Sequence, residues 1–351
     1  MSDYWSPDIA RLQPYVPGEQ PAVSDLIKLN TNESPYPPSA AVTDAIASAA
    51  SDLRLYPDPR SMALRSALAE YHAVDVDQVF VGNGSDEVLA HTFRAFFQQS
   101  RPVLLPDISY SFYPVYAELF GVEIKRIPLD VNFAIDPADY VGNWGGVIFP
   151  NPNAPTGCLL PLASVEAIAS QNRDCVVVVD EAYIDFGGQT AVALLDRFDN
   201  VLVVRTFSKS RALAGMRVGY AVGSPALIEG LVRVKDSFNS YPLDRLAEAA
   251  AVASVVADAH FAQTCKRVID NREQLVSALA ALDFTCLPSS ANFVFARHAT
   301  QGAASLAAQL RERHIIVRYF DKPRISDYLR ISIGDESECA RLVAALGEIL
   351  A

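Results

Sequence analysis

The sequence has no C-x-x-C pair, and its five cysteines (Cys158, Cys175, Cys265, Cys286 and Cys339) are odd in number and widely dispersed. A disulfide framework and a zinc site are therefore not expected, and no metal is assigned. Positive charge is also in short supply: 29 Lys and Arg against 41 Asp and Glu leave a formal net charge of −12. Affinity for a nucleic-acid backbone needs many clustered cations, so no nucleic-acid partner is expected, and any anionic ligand must meet a local basic pocket. Long apolar runs are missing too. Cys175 to Val179 is among the longest, far short of a bilayer, and the N-terminus MSDYWSPDIA has no basic segment leading into an apolar one. These gaps point to a cytoplasmic protein with no membrane partner. No G-x-G-x-x-G follows a strand, which disfavours a nicotinamide enzyme, and there is no internal repeat or low-complexity tract.

What remains is an ordinary globular balance, 50% hydrophobic and 20% charged over 351 residues. That length exceeds what one core usually serves, so two domains are expected. Residues 1–38, rich in Pro, Asn and Ser, read as an extended N-terminal arm of the kind that packs on a neighbour. Two helical patterns between Ala40 and Tyr71 are separated by Tyr56-Pro57-Asp58-Pro59, where the prolines forbid a continuous helix. From Gln78 to Val222 the short runs QVFV, PVLL, EIKRI, GVIF, CVVVV, NVLVV and RVGYAV alternate with helix-length segments. This pattern predicts an α/β domain with a mixed, mostly parallel sheet covered on both faces, spanning 39–243. An Ala-rich helical stretch, Leu243 to Leu282, leads into strands ANFVFA, IIVRY and YLRISIG with flanking helices, a smaller α+β domain over 244–351.

Four segments carry residues suited to chemistry. In Val203 to Gly219 a strand runs out into a small polar loop with Ser208 and Lys209, followed eight residues later by Arg217. A reactive lysine needs burial or neighbouring cations to lower its pKa, and Arg211 and Arg217 could supply them; a single loop lysine is otherwise usually a solvated one. In Val176 to Tyr183 an apolar strand ends in Asp180, a carboxylate that needs a partner if buried, or that simply caps a sheet edge. Val81-Gly82-Asn83-Gly84-Ser85-Asp86 leads from a strand through a glycine turn to a helix start, where amides can point at an anion or Ser and Asp can merely cap. Tyr328 to Gly334 is an alternating strand whose lone Arg330 offers a planar fork to a carboxylate, or faces solvent.

Together these segments, in their order along the chain, resemble the class I/II pyridoxal-5′-phosphate (PLP) aminotransferases of the aspartate-aminotransferase fold, and the resemblance spans nearly the whole chain. It implies that Lys209 carries the cofactor as a Schiff base and then moves protons, and that Ser208, Arg217, Gly84, Ser85 and Asp86 hold its phosphate. It further implies that Asp180 pairs with the ring nitrogen, that Tyr183 bonds the phenolic oxygen, that Tyr110 stacks on the ring and that Arg330 grips the substrate. In Asn151-Pro152-Asn153-Ala154-Pro155-Thr156-Gly157 the chain departs from the family's N-P-x-N-P-T-G turn. Ala154 stands where an asparagine usually contacts the phenolic oxygen, so either Asn153 takes over or Tyr183 acts alone.

Finer resemblance narrows the branch. Leu12 to Gly18, which includes Tyr15, and Leu29 to Tyr36, Tyr56 to Pro59 and Ser240 to Leu243 are similar to the histidinol-phosphate branch of the family. That implies transfer of an amino group between L-histidinol phosphate and 2-oxoglutarate in histidine biosynthesis. Arg318 stands at the branch's substrate-phosphate position, Arg324 lies nearby, and Tyr15 is a further substrate-binding expectation. Tyr56 is expected to reach the cofactor phosphate of a neighbouring subunit, which implies a homodimer. An aromatic amino-acid aminotransferase, a PLP-dependent threonine-phosphate decarboxylase and a non-catalytic PLP-binding protein are the alternatives weighed.

Overall fold

The structure is a computed structural model that describes residues 4–6, 8–15, 18–21 and 25–351. Its strands, in chain order, are β1 (Ile27–Leu29), β2 (Val79–Asn83), β3 (Val103–Pro106), β4 (Ile124–Ile127), β5 (Gly146–Pro150), β6 (Val177–Asp180), β7 (Val201–Thr206), β8 (Val218–Gly223), β9 (Phe284–Cys286), β10 (Phe293–His298), β11 (Ile315–Tyr319) and β12 (Leu329–Ser332). A seven-stranded sheet has the order β2-β8-β7-β6-β5-β3-β4 and a five-stranded sheet the order β1-β11-β12-β10-β9. All pairs in the larger sheet are parallel except those of β8, which runs antiparallel to both β2 and β7.

The runs VVVV and VLVV have no alternation because both sheet faces are covered. Val177, Val179, Val201 and Val203 belong to the core on one face, while Val178, Leu202 and Val204 belong to that on the other. Successive side chains of a strand point to opposite faces, so a strand buried on both sides reads as a continuous apolar run. The smaller sheet has its own core, where Phe293, Val294 and Ile331 meet Leu275 and Leu279 of the helix Asp258–Ala280 and Leu342 and Leu346 of the helix Glu336–Leu350. Asp335 and Glu338 form a reciprocal cap at the start of that last helix.

Two expectations are revised. The Ala-rich stretch from Leu243 is two helices, Arg245–Val256 and Asp258–Ala280, interrupted at Ala257; Asp258 opens the second, where a carboxylate is favoured by the helix dipole. The N-terminal segment is not merely an arm. Its residues Ile27–Leu29 pair in parallel with Ile315, Ile316 and Val317 at the edge of the smaller sheet. Among the described residues no helix is long and apolar enough to cross a membrane.

Candidate active site

The strand directions bring the expected residues to one edge of the larger sheet. In register, Asp180 lies beside Pro150 on one side and Val204 on the other, so β5, β6 and β7 end together. Because β8 is antiparallel, its first residues pair with the last residues of β7 and β2: Gly219 with Thr206, and Val218 with Asn83. Arg217, which enters β8, thus lies at the same edge as Lys209, which follows β7, and Ser85, which follows β2. Binding sites in open α/β sheets form at this carboxyl end. One cavity there is lined by Ser85, Asp86, Tyr110, Ala154, Asp180, Tyr183, Ser208, Lys209 and Arg217. It is closed by Tyr15, Asn32, Arg318 and Arg330 from the N-terminal segment and the smaller sheet.

Asp180 is a buried carboxylate at the end of β6. Its carboxylate accepts a hydrogen bond of 2.7 Å from the Tyr113 hydroxyl and one of 3.2 Å from the Ala182 amide. No cation among the described residues pairs with it, and burial pushes its pKa up to about 6 even though those two donors pull it down. Lys209 Nζ donates to the Thr31 carbonyl at 2.9 Å and lies 5.8 Å from the centre of the Tyr183 ring. Arg211 does not face it: its guanidinium donates to the Ser254 carbonyl and packs on Phe261, 4.0 Å from that ring's centre. The cationic neighbour expected from that position is absent.

Gly84, Ser85 and Asp86 open the helix Gly84–Thr92, whose start has no side-chain cap, so its first amides are available to an anion. Arg217 donates to Ser208 Oγ at 3.2 Å and to Asp86 at 3.2 Å. Asp86 also accepts from the Tyr110 hydroxyl at 3.1 Å. Only glycine fits at two places here. A Cβ on Gly84, whose φ is +76°, would meet the Arg217 guanidinium at 2.5 Å, and one on Gly219 would meet the Ser85 amide nitrogen at 2.2 Å.

On the opposite wall Arg318 of β11 and Arg330 of β12 are direct cross-strand partners. Like charges in that arrangement repel. Neither forms an ion pair among the described residues, although Glu19, paired with Arg311, lies near enough to Arg318 to feel its charge; Arg330 donates only to the Asn30 carbonyl, and its Nε is buried without a partner. Burial, with Arg318 close by, lowers the Arg330 pKa. Arg324 is different: it forms an ion pair with Asp107 at 2.8 Å and donates to the Leu129 and Asp130 carbonyls. Tyr15 lines the cavity beside Arg318 and packs on Phe112 with ring centres 4.8 Å apart. Val16 and Pro17 of the same fragment lie outside the described residues.

Three expected residues do not line this cavity: Gly84, which adjoins it through Ser85 and the Arg217 guanidinium, Asn153 and Tyr56. Both N–H groups of the Asn153 amide are committed, to the Ile108 carbonyl and to Thr156 Oγ1, and Ala154 lines the cavity instead. Tyr56 is 79% exposed and packs on Tyr241 away from the site.

The model of the family described as aminotransferase class I and II matches residues 24–346. The chain belongs to the class I and II aminotransferase family. Within this aminotransferase family it is 60% identical to histidinol-phosphate aminotransferase 2 of Rhizobium meliloti (strain 1021), over the full length of both chains. It is 59% identical to histidinol-phosphate aminotransferase 1 of Hydrogenovibrio crunogenus, covering 100% of this chain and 99% of that one. Among solved structures it resembles the histidinol-phosphate aminotransferase of Sinorhizobium meliloti in complex with pyridoxal-5′-phosphate, with a TM-score of 0.88, 25% identity, and coverage of 100% of this chain and 98% of the other.

An aminotransferase of this family is a PLP-dependent transaminase, and the residues present fit that cofactor. Asp180 is a buried carboxylate lacking a cation, as a protonated ring nitrogen requires. The uncapped helix start, Ser208 and Arg217 suit a phosphate, in a cradle that a Cβ at Gly84 or Gly219 would fill. Sequence reasoning missed Tyr113, which holds Asp180, and Asn32, which donates to the Tyr183 hydroxyl at 3.0 Å. Tyr113 was one of several aromatics in Tyr110 to Tyr116. Asn32 sat inside the resembling fragment from Leu29 to Tyr36 with nothing local to single it out.

Proposed function

We propose that this aminotransferase moves the amino group of L-histidinol phosphate to 2-oxoglutarate, giving imidazole acetol phosphate and L-glutamate, as a cytoplasmic step of histidine biosynthesis. The observation that carries the reading is the cross-strand pair Arg318 and Arg330, two cations outside any ion pair among the described residues, lining one cavity with Lys209. One substrate ends in a phosphate and the other has two carboxylates, so the pocket must hold an anion at a fixed distance from the reacting amine in both half-reactions. The relatives at 58–60% identity carry the same substrate in their names.

When bound, PLP supplies the electron sink that lets the donor's Cα–H bond break and stores the amino group between half-reactions. In this reading Asp180, oriented by Tyr113, holds the ring nitrogen in its protonated form. Ser85, Ser208, Arg217 and the amides of the helix start at Gly84 hold the phosphate, with Asp86 orienting Arg217 and Tyr110 covering the ring. Tyr183 donates to the phenolic oxygen. Lys209 Nζ would be the group that takes the proton from the donor's Cα as a general base and gives it up again as a general acid later in the half-reaction. Arg330 and Arg318, with Tyr15, bind the anionic end, and their position on the smaller sheet makes closure of 244–351 on 39–243 the step that shuts out water.

A homodimer completes the reading. Leu53, Leu55, Tyr56, Phe238 and Tyr241 are exposed, and Tyr56 has no access to the cavity of its own chain. In a pair of copies it would reach the phosphate cup of the other.

The test is the visible spectrum of the purified, PLP-loaded protein during addition of L-histidinol phosphate without an oxo acid. Loss of the yellow band at low concentration, restored by 2-oxoglutarate with release of glutamate, is expected. Bleaching by phenylalanine alone would replace this substrate with an aromatic amino acid, and carbon dioxide release from threonine phosphate would make the chain a decarboxylase.

A further inference from the structure

The cavity contains a hydrogen-bond chain whose direction can be worked out from donors and acceptors alone. The Asn32 backbone N–H donates to Ser332 Oγ at 2.9 Å, so the single Ser332 proton goes elsewhere, and its partner at 2.8 Å is Asn32 Oδ1. The Asn32 amide must then present its nitrogen on the other side, where Nδ2 donates to the Tyr183 hydroxyl oxygen at 3.0 Å. A flipped amide would strand the Ser332 proton: Ser332 is 2% exposed and has no other side-chain acceptor among the described residues. With its oxygen already accepting from Asn32, the Tyr183 hydroxyl keeps its own proton, which it donates to no group among the described residues. That proton is free to point into the cavity.

Asn32 is rigidly held for this purpose. Its φ of 57° is a left-handed conformation that asparagine tolerates better than most residues. Its carbonyl accepts from Asn292 Nδ2 at 2.9 Å, and its side chain is buried. Ser332 lies two residues beyond Arg330 on β12, so the chain starts on the strand that carries the anion-binding arginine.

We infer that Asn32 is a positioning residue that, locked by Ser332, commits the Tyr183 proton to the phenolic oxygen of the cofactor, compensating for the side chain that Ala154 lacks. This rests on the reading of Tyr183 given above. The position beside Pro155 offers only a methyl group, and Asn153 has no free N–H. The phenolic oxygen is thus left with one donor, whose orientation must come from behind.

The test compares binding of PLP and of 3-deoxypyridoxal 5′-phosphate, which lacks the phenolic oxygen, to the protein stripped of cofactor. Tyr183→Phe, Asn32→Asp and Ser332→Ala are measured beside the unaltered chain, with thermal melting to confirm folding. The carboxylate that Asn32→Asp introduces would accept the Tyr183 proton and so reverse the chain, whereas Ser332→Ala unlocks it without adding charge. Expected are losses of PLP affinity of about tenfold for Tyr183→Phe and Asn32→Asp and about threefold for Ser332→Ala, each at least halved in size for the deoxy analogue. Equal losses for both ligands in Asn32→Asp and Ser332→Ala, with Tyr183→Phe still discriminating, would overturn the inference and leave the role of Tyr183 standing. Failure of Tyr183→Phe itself to discriminate would remove the role of Tyr183, and the inference with it.

Discussion

The two walls of the cavity are built differently. On the wall made by the larger sheet, polar groups are already tied down: Asp180 by Tyr113 and Ala182, Arg217 by Ser208 and Asp86, Tyr183 by Asn32. On the wall made by the smaller sheet, Arg318 and Arg330 face each other with no carboxylate between them. The first wall is preorganised for a group that stays through the catalytic cycle. The second carries two arginines outside any ion pair among the described residues, with Glu19 only near Arg318, and so has positive charge to offer an incoming anion, which suits a pocket that must accept two different substrates in turn. The contrast extends to Arg324, which belongs to the second wall by sequence but is satisfied by Asp107 and two carbonyls.

The largest effect should come from the first wall. Lys209→Ala is expected to lower transamination by at least about a thousandfold while leaving the melting temperature and secondary structure close to those of the unaltered chain. Single-turnover kinetics with L-histidinol phosphate and far-UV circular dichroism check both halves. Substantial retained turnover would take Lys209 out of the proton path. Asp180→Ala comes next, with a drop of about a hundredfold or more in the rate of Cα–H cleavage, read by isotope exchange from deuterated donor. Near-normal exchange would separate the buried carboxylate from the electron sink.

The second wall should behave in the opposite sense. Arg330→Met removes a half-buried cation that forms no ion pair among the described residues, so the substrate-free protein should melt at the same temperature or higher, while KM for L-histidinol phosphate or 2-oxoglutarate rises about a hundredfold. Arg324→Met should do the reverse, with KM within about twofold and a loss of about 1–2 kcal/mol in stability from its ion pair and carbonyl contacts. If the two variants gave the same profile, the division between an open and a satisfied arginine would collapse.

Much of this was legible in the sequence because the signals were local. A strand buried on both faces must be an uninterrupted apolar run, so its end can be read from the sequence, and the motifs at those ends resemble the family's, which is how Asp180, Lys209 and Ser85 could be named. The contributions that escaped are nonlocal. The strand Ile27–Leu29 is three residues long, too short for alternation to show, and its partner is Ile315–Val317, nearly three hundred residues on. Asn32 and Tyr113 act on Tyr183 and Asp180 through contacts 151 and 67 residues apart in sequence, and no spacing rule connects such pairs. Arg324 illustrates the converse: its type and proximity to Arg330 suggested a ligand, and only the fold shows Asp107 occupying it.

The smallest expected effect concerns the pH dependence of the first wall in the cofactor-free protein. Burial raises the pKa of Asp180 to about 6 and that of Glu181, the next residue, to about 7. Glu181 is held by Thr190 Oγ1 and the Ala191 amide, with Arg205 nearby, yet desolvation outweighs them. A carboxyl whose pKa is raised by folding binds its proton more tightly in the folded state, so the associated stability is full below the ordinary carboxylate pKa and is lost as pH rises through the raised value. Melting temperature of the stripped protein should therefore fall between about pH 4 and 7 from these two groups. Glu181→Gln should flatten the upper part of that fall by a few degrees, and adding PLP should flatten the part due to Asp180, because a protonated ring nitrogen favours the ionised carboxylate. Glu181→Gln should leave the cofactor's own contribution intact. If PLP flattened nothing, the preorganised wall would hold its carboxylate for some purpose other than a cationic ring.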